Sequence, residues 1–259
     1  VQAGMAEQHP VVQGNLVPVM GRGIRAQQVA RLNGIPPRSQ AGQLFRQLCH
    51  LAGSQKANAP QVDTQDRLAL GKAVMGDVPM VDVFDTACHQ TMPGKALTYA
   101  VPYEYYEKYG IRRYGFHGTS HRFVSQKTVE LLGNPEHSKI VTCHLGNGSS
   151  ISAVVDGKCF DTTMGVTPLE GIMMGTRCGS IDPAIVPIIM KKENLTPDQI
   201  DKVMNKQSGM LGLCGTSDNR TIESRAKEGD KRAKLIESML CHQLTKYIGG
   251  YAAAMGGLD

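Results

Sequence analysis

The chain has 259 residues, with 28 Lys+Arg against 23 Asp+Glu and a net charge of +5. That length suits one large domain or two modest ones and buries a core without disulfide staples. No apolar run of about 18 residues occurs, no charged start followed by an apolar stretch marks Val1 to Met20 as a signal peptide, and seven cysteines without a CxxC pair exclude a zinc ribbon and point to a reducing, cytoplasmic setting.

The first 80 residues differ from the rest. They hold 11 of the 16 glutamines and one of the 13 Phe+Tyr, and their charge is 8 basic against 4 acidic residues, or +4 of the total +5. The basic residues are scattered, with Phe45 the lone aromatic among them, so neither a basic block nor a stacking platform for nucleic acid is present. Short helices over Arg25–Leu32 and Ala41–Ala52 are expected, interrupted by Asn33-Gly34 and Pro36-Pro37. From Met80 the pattern becomes orderly. Val81–Phe84 reads as a short buried strand delivering Asp85 at its tip. Thr119 or Ser120 is expected to cap a helix running to about Leu132, with Gly133 at its C-terminal stop. Lys139–Leu145, Ile151–Val155 and Lys158–Phe160 read as strands joined by the turns Gly146-Asn147-Gly148 and Asp156-Gly157. Asp182-Pro183 and Thr196-Pro197-Asp198-Gln199 read as helix starts, the second a capping box. Apolar residues at helical spacing predict one long amphipathic helix from Asp230 to about Ala254, ended by Gly256. Mixed strands and helices make the class α/β.

Four constellations can carry chemistry. Leu145-Gly146-Asn147-Gly148-Ser149-Ser150 offers backbone N–H groups and two hydroxyls to an anion; a plain type I′ hairpin at Asn147-Gly148 is the competing reading, and no GK[ST] follows to make a Walker loop. In His117-Gly118-Thr119-Ser120-His121 the two histidines are four apart, but no HExxH glutamate accompanies them, so a single working His in a glycine-flanked loop is preferred to a metal pair. In Gly175-Thr176-Arg177-Cys178-Gly179 the Arg can meet a phosphate or carboxylate, with a helix N-terminus nearby to favour the same anion. Asp85 can hold a base, a metal or a substrate group, or simply cap the following turn. Cys88 and Cys178 have no evident base partner and read as packed thiols rather than nucleophiles. Together these features suggest phosphoryl transfer, in which positioning and charge stabilisation supply most of the catalysis.

Several of these segments resemble the acetokinase family of the actin-like sugar kinase superfamily. They are Val83-Phe84-Asp85-Thr86-Ala87-Cys88-His89-Gln90-Thr91-Met92-Pro93, Gly110 to His121, His144 to Ser150, Asp161 to Gly165 and Thr167 to Pro183. The match is collinear from about Lys72 to the end. The resemblance implies an actin-like (ribonuclease H-like) kinase fold in which 81–259 is mainly the C-terminal of two domains and 1–80 is an altered remnant of the other. It implies transfer of a phosphoryl group from ATP to acetate, giving acetyl phosphate and ADP, with Mg²⁺, in a homodimer. By the same resemblance Asp85 is the catalytic carboxylate near the acyl substrate, and His117 and Arg177 stabilise the transferring phosphoryl group. His144, Leu145, Gly146, Asn147 and Gly148 hold phosphate, and Asp218, Asn219 and Arg220 contact nucleotide.

Departures accompany the match. The family's Asn-x-Gly-Ser-Ser-Ser loop is missing, Pro10 stands where its substrate-binding Arg is expected, and Asn15 to Gly71 do not resemble the family. The chain stops at Asp259, ahead of the family's adenosine segment and Mg²⁺-linked glutamate, so no metal ligands are assigned. The expectation is therefore an acetate kinase sequence incomplete at both ends. A propionate kinase and a non-catalytic nucleotide-binding fragment are the alternatives, without a nucleic-acid or membrane partner.

Overall fold

The computed structural model describes residues 83–259, together with Lys72, Met75, Gly76 and Val78. The helices expected at Arg25–Leu32 and Ala41–Ala52 lie outside the described residues. The chain divides after Val81, and its second unit is Asp82–Asp259.

This unit opens with a 3-10 helix, Ala87–Thr91, and three helices, α1 (Gly94–Leu97), α2 (Glu104–Tyr109) and α3 (Gly118–Leu131). Strands β1 (Lys139–Leu145), β2 (Ser149–Val155) and β3 (Lys158–Thr162) come next, then α4 (Ile185–Glu193), α5 (Pro197–Lys206), α6 (Gly209–Cys214), α7 (Asn219–Lys227) and α8 (Lys231–Met255). The strands form an antiparallel meander in the order β1-β2-β3. Asp156 and Gly157 both have positive φ, 49° and 74°, the type I′ geometry that matches the strand twist.

The central strand explains the layering. In β2, Ser149–Val154 are all buried, and successive side chains point to opposite faces. Ile151 and Ala153 pack with Ile172, Tyr251 and Met255, so one face of the sheet rests on the C-terminal half of α8. Ser150 and Ser152 face the other way, and Ser150 meets His121 of α3. The sheet is thus apolar toward α8 and hydrogen-bonding toward α3. The N-terminal half of α8 serves a second cluster, where Ala233 and Ile236 meet Met173, Met210, Ile222 and Ala226. Its 25 residues span about 37 Å at 1.5 Å per residue, long enough to join both clusters. Asp230 caps it by accepting from the N–H groups of Arg232 and Ala233, at 2.8 and 3.1 Å, and Gly256 ends it at φ 72°. Ile222 is fully buried. Ile222→Ala is expected to cost about 3 kcal/mol through lost burial and a residual cavity, read as a lower urea midpoint.

Three local expectations are corrected. Val83 and Phe84 are 65% and 58% exposed and belong to no strand, because none of the sheet's strands pairs with this run. Neither Thr119 nor Ser120 caps α3: His117 is its N-cap residue, at φ 60°, with no capping bond from its own side chain. Asp85 supplies the missing acceptors. Its carboxylate accepts from the His117 N–H at 2.7 Å, and its carbonyl accepts from the Gly118 N–H at 2.8 Å. Helix α4 begins at Ile185, after one turn in which Asp182 accepts from the Ala184 N–H at 2.9 Å. The capping box at Thr196 is present as expected, with Gln199 Oε1 accepting from the Thr196 N–H at 2.7 Å. Among the described residues no helix is long and apolar enough to cross a membrane.

Candidate active site

The β1–β2 turn, Gly146–Gly148, is where the singled-out residues meet. Neither Asn147 nor Gly148 has positive φ, so this is not the type I′ hairpin of the competing reading, which requires it at both positions. Ser149 Oγ donates to the Gly146 carbonyl at 2.8 Å, and Ser150 is buried among histidines. Ser149 therefore holds the turn and Ser150 faces His117 and His121, so neither offers its hydroxyl to an anion there, contrary to the sequence reading.

Two cationic or donor side chains flank Gly148. A Cβ built on Gly148 would lie 3.1 Å from Arg177 Nη1 and 3.3 Å from His117 Nε2. The small residue thus lets a His and an Arg approach one point of the backbone from the α3 end and from the 174–177 loop. His117 is held on three sides. Asp85 fixes its backbone, Ser150 Oγ lies 2.9 Å from Nδ1, and the His144 ring stacks on it with centroids 4.1 Å apart. His144 is positioned by Ser120, whose Oγ is 3.0 Å from its Nδ1. Asp85 itself is exposed. Its carboxylate fixes the backbone of His117 and does not cap the turn that follows it, where the 3-10 helix has no side-chain cap bond.

The 174–177 loop is built by α6. The N–H groups of Met210 and Leu211 donate to the carbonyls of Met174 and Gly175 at 3.0 and 2.9 Å, and that of Ser208 donates to Thr176 at 3.1 Å. Those donors are consumed by the loop, and Asp182 accepts from Ala184 at the start of α4, so neither α6 nor α4 turns these N–H groups to an anion beside Arg177. The Arg177 guanidinium instead reaches the Pro168 carbonyl at 3.4 Å and Met174 Sδ at 3.6 Å. The Pro168 loop is braced in turn. Arg113 donates to the carbonyls of Thr162, Thr163 and Met164 and pairs with Glu170 at 2.8 Å, while Glu170 also accepts from Tyr99.

The Asp218–Arg220 triplet connects through a neighbour. Gly175 N–H donates to the Asn147 carbonyl at 3.2 Å, and a Cβ at Gly175 would lie 2.1 Å from Asn147 Oδ1 and 3.3 Å from Ser217 Cβ. This contact brings the turn, the Arg177 loop and the approach to Asp218 together. Asp218 caps α7 through the Arg220 N–H at 3.0 Å and pairs with the Arg220 guanidinium at 3.2 Å, and both are exposed. Leu145 is exposed at the end of β1.

Thr142 does not stand out in the sequence, and His121 and Ser150 stand out there for other roles; all three adjoin the site through buried hydrogen bonds. His121 lies 2.8 Å from Thr142 Oγ1 and 2.7 Å from Ser150 Oγ. Burial first, then repulsion from His89, His117 and His144, pushes its pKa down to about 3. Burial likewise lowers that of His89. Both stay neutral in the native state, whereas the unfolded chain takes up protons below about pH 6.5. Native stability is therefore expected to fall as pH drops from about 6.5 toward 3, by up to about 1.4 kcal/mol per pH unit from His121, with His89 acting in the same direction; urea midpoints at pH 7.5, 6 and 5 measure this. Burial pushes the Cys88 and Cys178 thiols up, in keeping with packed side chains rather than nucleophiles.

Comparison with known proteins places this arrangement. The chain is 60% identical over 187 residues to the acetate kinase of Carboxydothermus hydrogenoformans, covering 72% of this chain and 47% of that one. It is 60% identical over 190 residues to that of Treponema denticola, covering 73% and 48%. The crystal structure of Porphyromonas gingivalis acetate kinase aligns with TM-score 0.72 and 46% identity, over 75% of this chain and 49% of that one. A propionate kinase from Francisella tularensis aligns with TM-score 0.71 and 44% identity, over 74% and 50%. The chain spans about half the length of the curated relatives it matches. Its fold is the actin-like kinase fold. The Acetokinase family model matches residues 46–259, so the likeness reaches back well before Lys72, into the stretch that the motifs alone left unmatched. The chain belongs to the acetokinase family.

Proposed function

We propose that this chain carries the phosphoryl-holding part of an acetate kinase, which transfers the γ-phosphoryl group of ATP to the carboxylate of acetate. The observation that carries this reading is the approach of His117 Nε2 and Arg177 Nη1 to Gly148. In phosphoryl transfer an acetate oxygen forms a bond to phosphorus as the bond to the β-phosphate oxygen breaks, and ADP leaves with the electron pair. Charge spreads over the three equatorial oxygens, so donors fixed at that place stabilise the transition state more than the ground state. Arg177 and His117 supply such donors. The backbone of His144–Gly148 lies beside them for the phosphate chain, and Asp218, Asn219 and Arg220 are proposed for the nucleotide. Asp85 is proposed to face the acyl substrate from the other side of His117 while fixing its backbone.

Among the described residues, no group of three or more His, Cys, Asp or Glu side chains is placed to hold a metal ion. The Mg²⁺ implied by the resemblance would, when bound with the nucleotide, neutralise charge on its phosphates.

The test is acetyl phosphate formation from acetate and MgATP, trapped as hydroxamate, by the purified chain and by Arg177→Ala. Product that disappears in the variant is the expected result. ATP binding without product favours the non-catalytic fragment instead. The near-equal alignment with a propionate kinase motivates one comparison: kcat/KM for propionate above that for acetate would replace acetate as the acceptor.

A further inference from the structure

Ser150 has one hydroxyl proton and faces two imidazoles. Its Oγ lies 2.9 Å from His117 Nδ1 and 2.7 Å from His121 Nε2, and the side chain is fully buried. With both rings neutral, one of these nitrogens accepts from Ser150 and the other donates to it. The proton position on His117 is therefore coupled to that on His121. The far end of the chain of hydrogen bonds sets the direction. His121 Nδ1 is 2.8 Å from Thr142 Oγ1. The Thr142 hydroxyl also approaches the Ser152 carbonyl, but at 3.4 Å, beyond the roughly 2.5–3.0 Å of a good O–H···O bond. The proton therefore goes to His121 Nδ1. His121 then donates from Nε2 to Ser150, and Ser150 donates to His117 Nδ1.

We infer that Thr142, His121 and Ser150 form a positioning relay that holds neutral His117 with its proton on Nε2, the nitrogen turned toward Gly148 and Arg177. The inference rests on the phosphoryl reading of that corner and deepens it, because the relay presents a donor to an anion without adding a second positive charge beside Arg177. A protonated His121 would donate at both nitrogens and break the one-way order. Burial and the facing imidazoles of His89 in the 3-10 helix, His117 at the start of its own helix and His144 on β1 oppose that protonation.

The test is a two-bond ¹H–¹⁵N spectrum of the chain labelled with ¹⁵N-histidine, recorded at pH 8. The expected result is the Nε2–H tautomer at both His117 and His121, with each Nδ1 showing the upfield shift of a hydrogen-bond acceptor. Ser150→Ala is expected to remove that shift at His117 while leaving it at His121, and Thr142→Val to remove it at His121. A Nδ1–H tautomer at either histidine in the unsubstituted chain overturns the relay, whether or not the variants fold. Ser150→Ala is also expected to weaken ATP binding about fivefold, the scale of one hydrogen bond. In a separate arm ATP is titrated against the unsubstituted chain. An unmoved His117 Nε2–H resonance alongside the expected tautomers refutes the phosphoryl reading and leaves the relay standing.

Discussion

Replacing Gly209 by Ala is expected to destabilise the unit by about 3 kcal/mol and to weaken nucleotide binding at the same time. Gly209 has φ 62°, a region that L side chains rarely adopt. A Cβ there would lie 2.1 Å from the Met174 carbonyl oxygen, 2.6 Å from that of Arg177 and 3.0 Å from the Arg177 nitrogen. All three are backbone atoms, so no side chain can swing away to make room. The loop that presents Arg177 must move, or α6 must detach from it. Backbone strain and steric overlap act together, which places this substitution among the more severe single changes available. Urea denaturation measures the first effect and isothermal titration with ATP the second. A loss below about 1 kcal/mol with unchanged ATP affinity would show that the loop and α6 are not packed as described.

The second large effect is at Arg177 itself. Arg177→Ala is expected to weaken ATP binding by about tenfold to a hundredfold, the scale of losing hydrogen bonds to a charged partner. Any transfer rate should fall by about 10²–10³, as for removal of one donor that acts on developing charge. Arg177→Lys is expected to recover only a minor part. A compact ammonium replaces charge but not the planar fork of donors.

Much of the architecture is legible from local chemistry. The capping box at Thr196, the Asp230 cap, the Gly256 stop and the Asp156-Gly157 turn follow from residue types whose hydrogen bonds close within a few positions. The failures share a different cause. Val83-Phe84 has a strand composition but no strand to pair with among those described. Thr119 and Ser120 are good caps that are not used, because Asp85, more than 30 residues earlier, supplies the acceptors. Ser149 and Ser150 look like anion donors until the fold assigns one to the turn and the other to two histidines. The site is similar. Asp85, His117, Gly148 and Arg177 stand out as isolated motifs, but their meeting depends on α3, the β1–β2 turn and α6, elements far apart in the chain. His121 stands out in the sequence only as half of a possible metal pair, because its contacts run through Ser150 and Thr142 and no spacing rule connects positions 121, 142 and 150.

The most direct test of a phosphate site at the β1–β2 turn is to monitor backbone amide resonances of the ¹⁵N-labelled chain during titration with ATP. The largest shifts are expected on Gly146, Asn147, Gly148, His117 and Arg177, with smaller ones at Asp218–Arg220, and Arg177→Ala should suppress them. Shifts absent from the Gly146–Gly148 turn, or unchanged in Arg177→Ala, would contradict such a site.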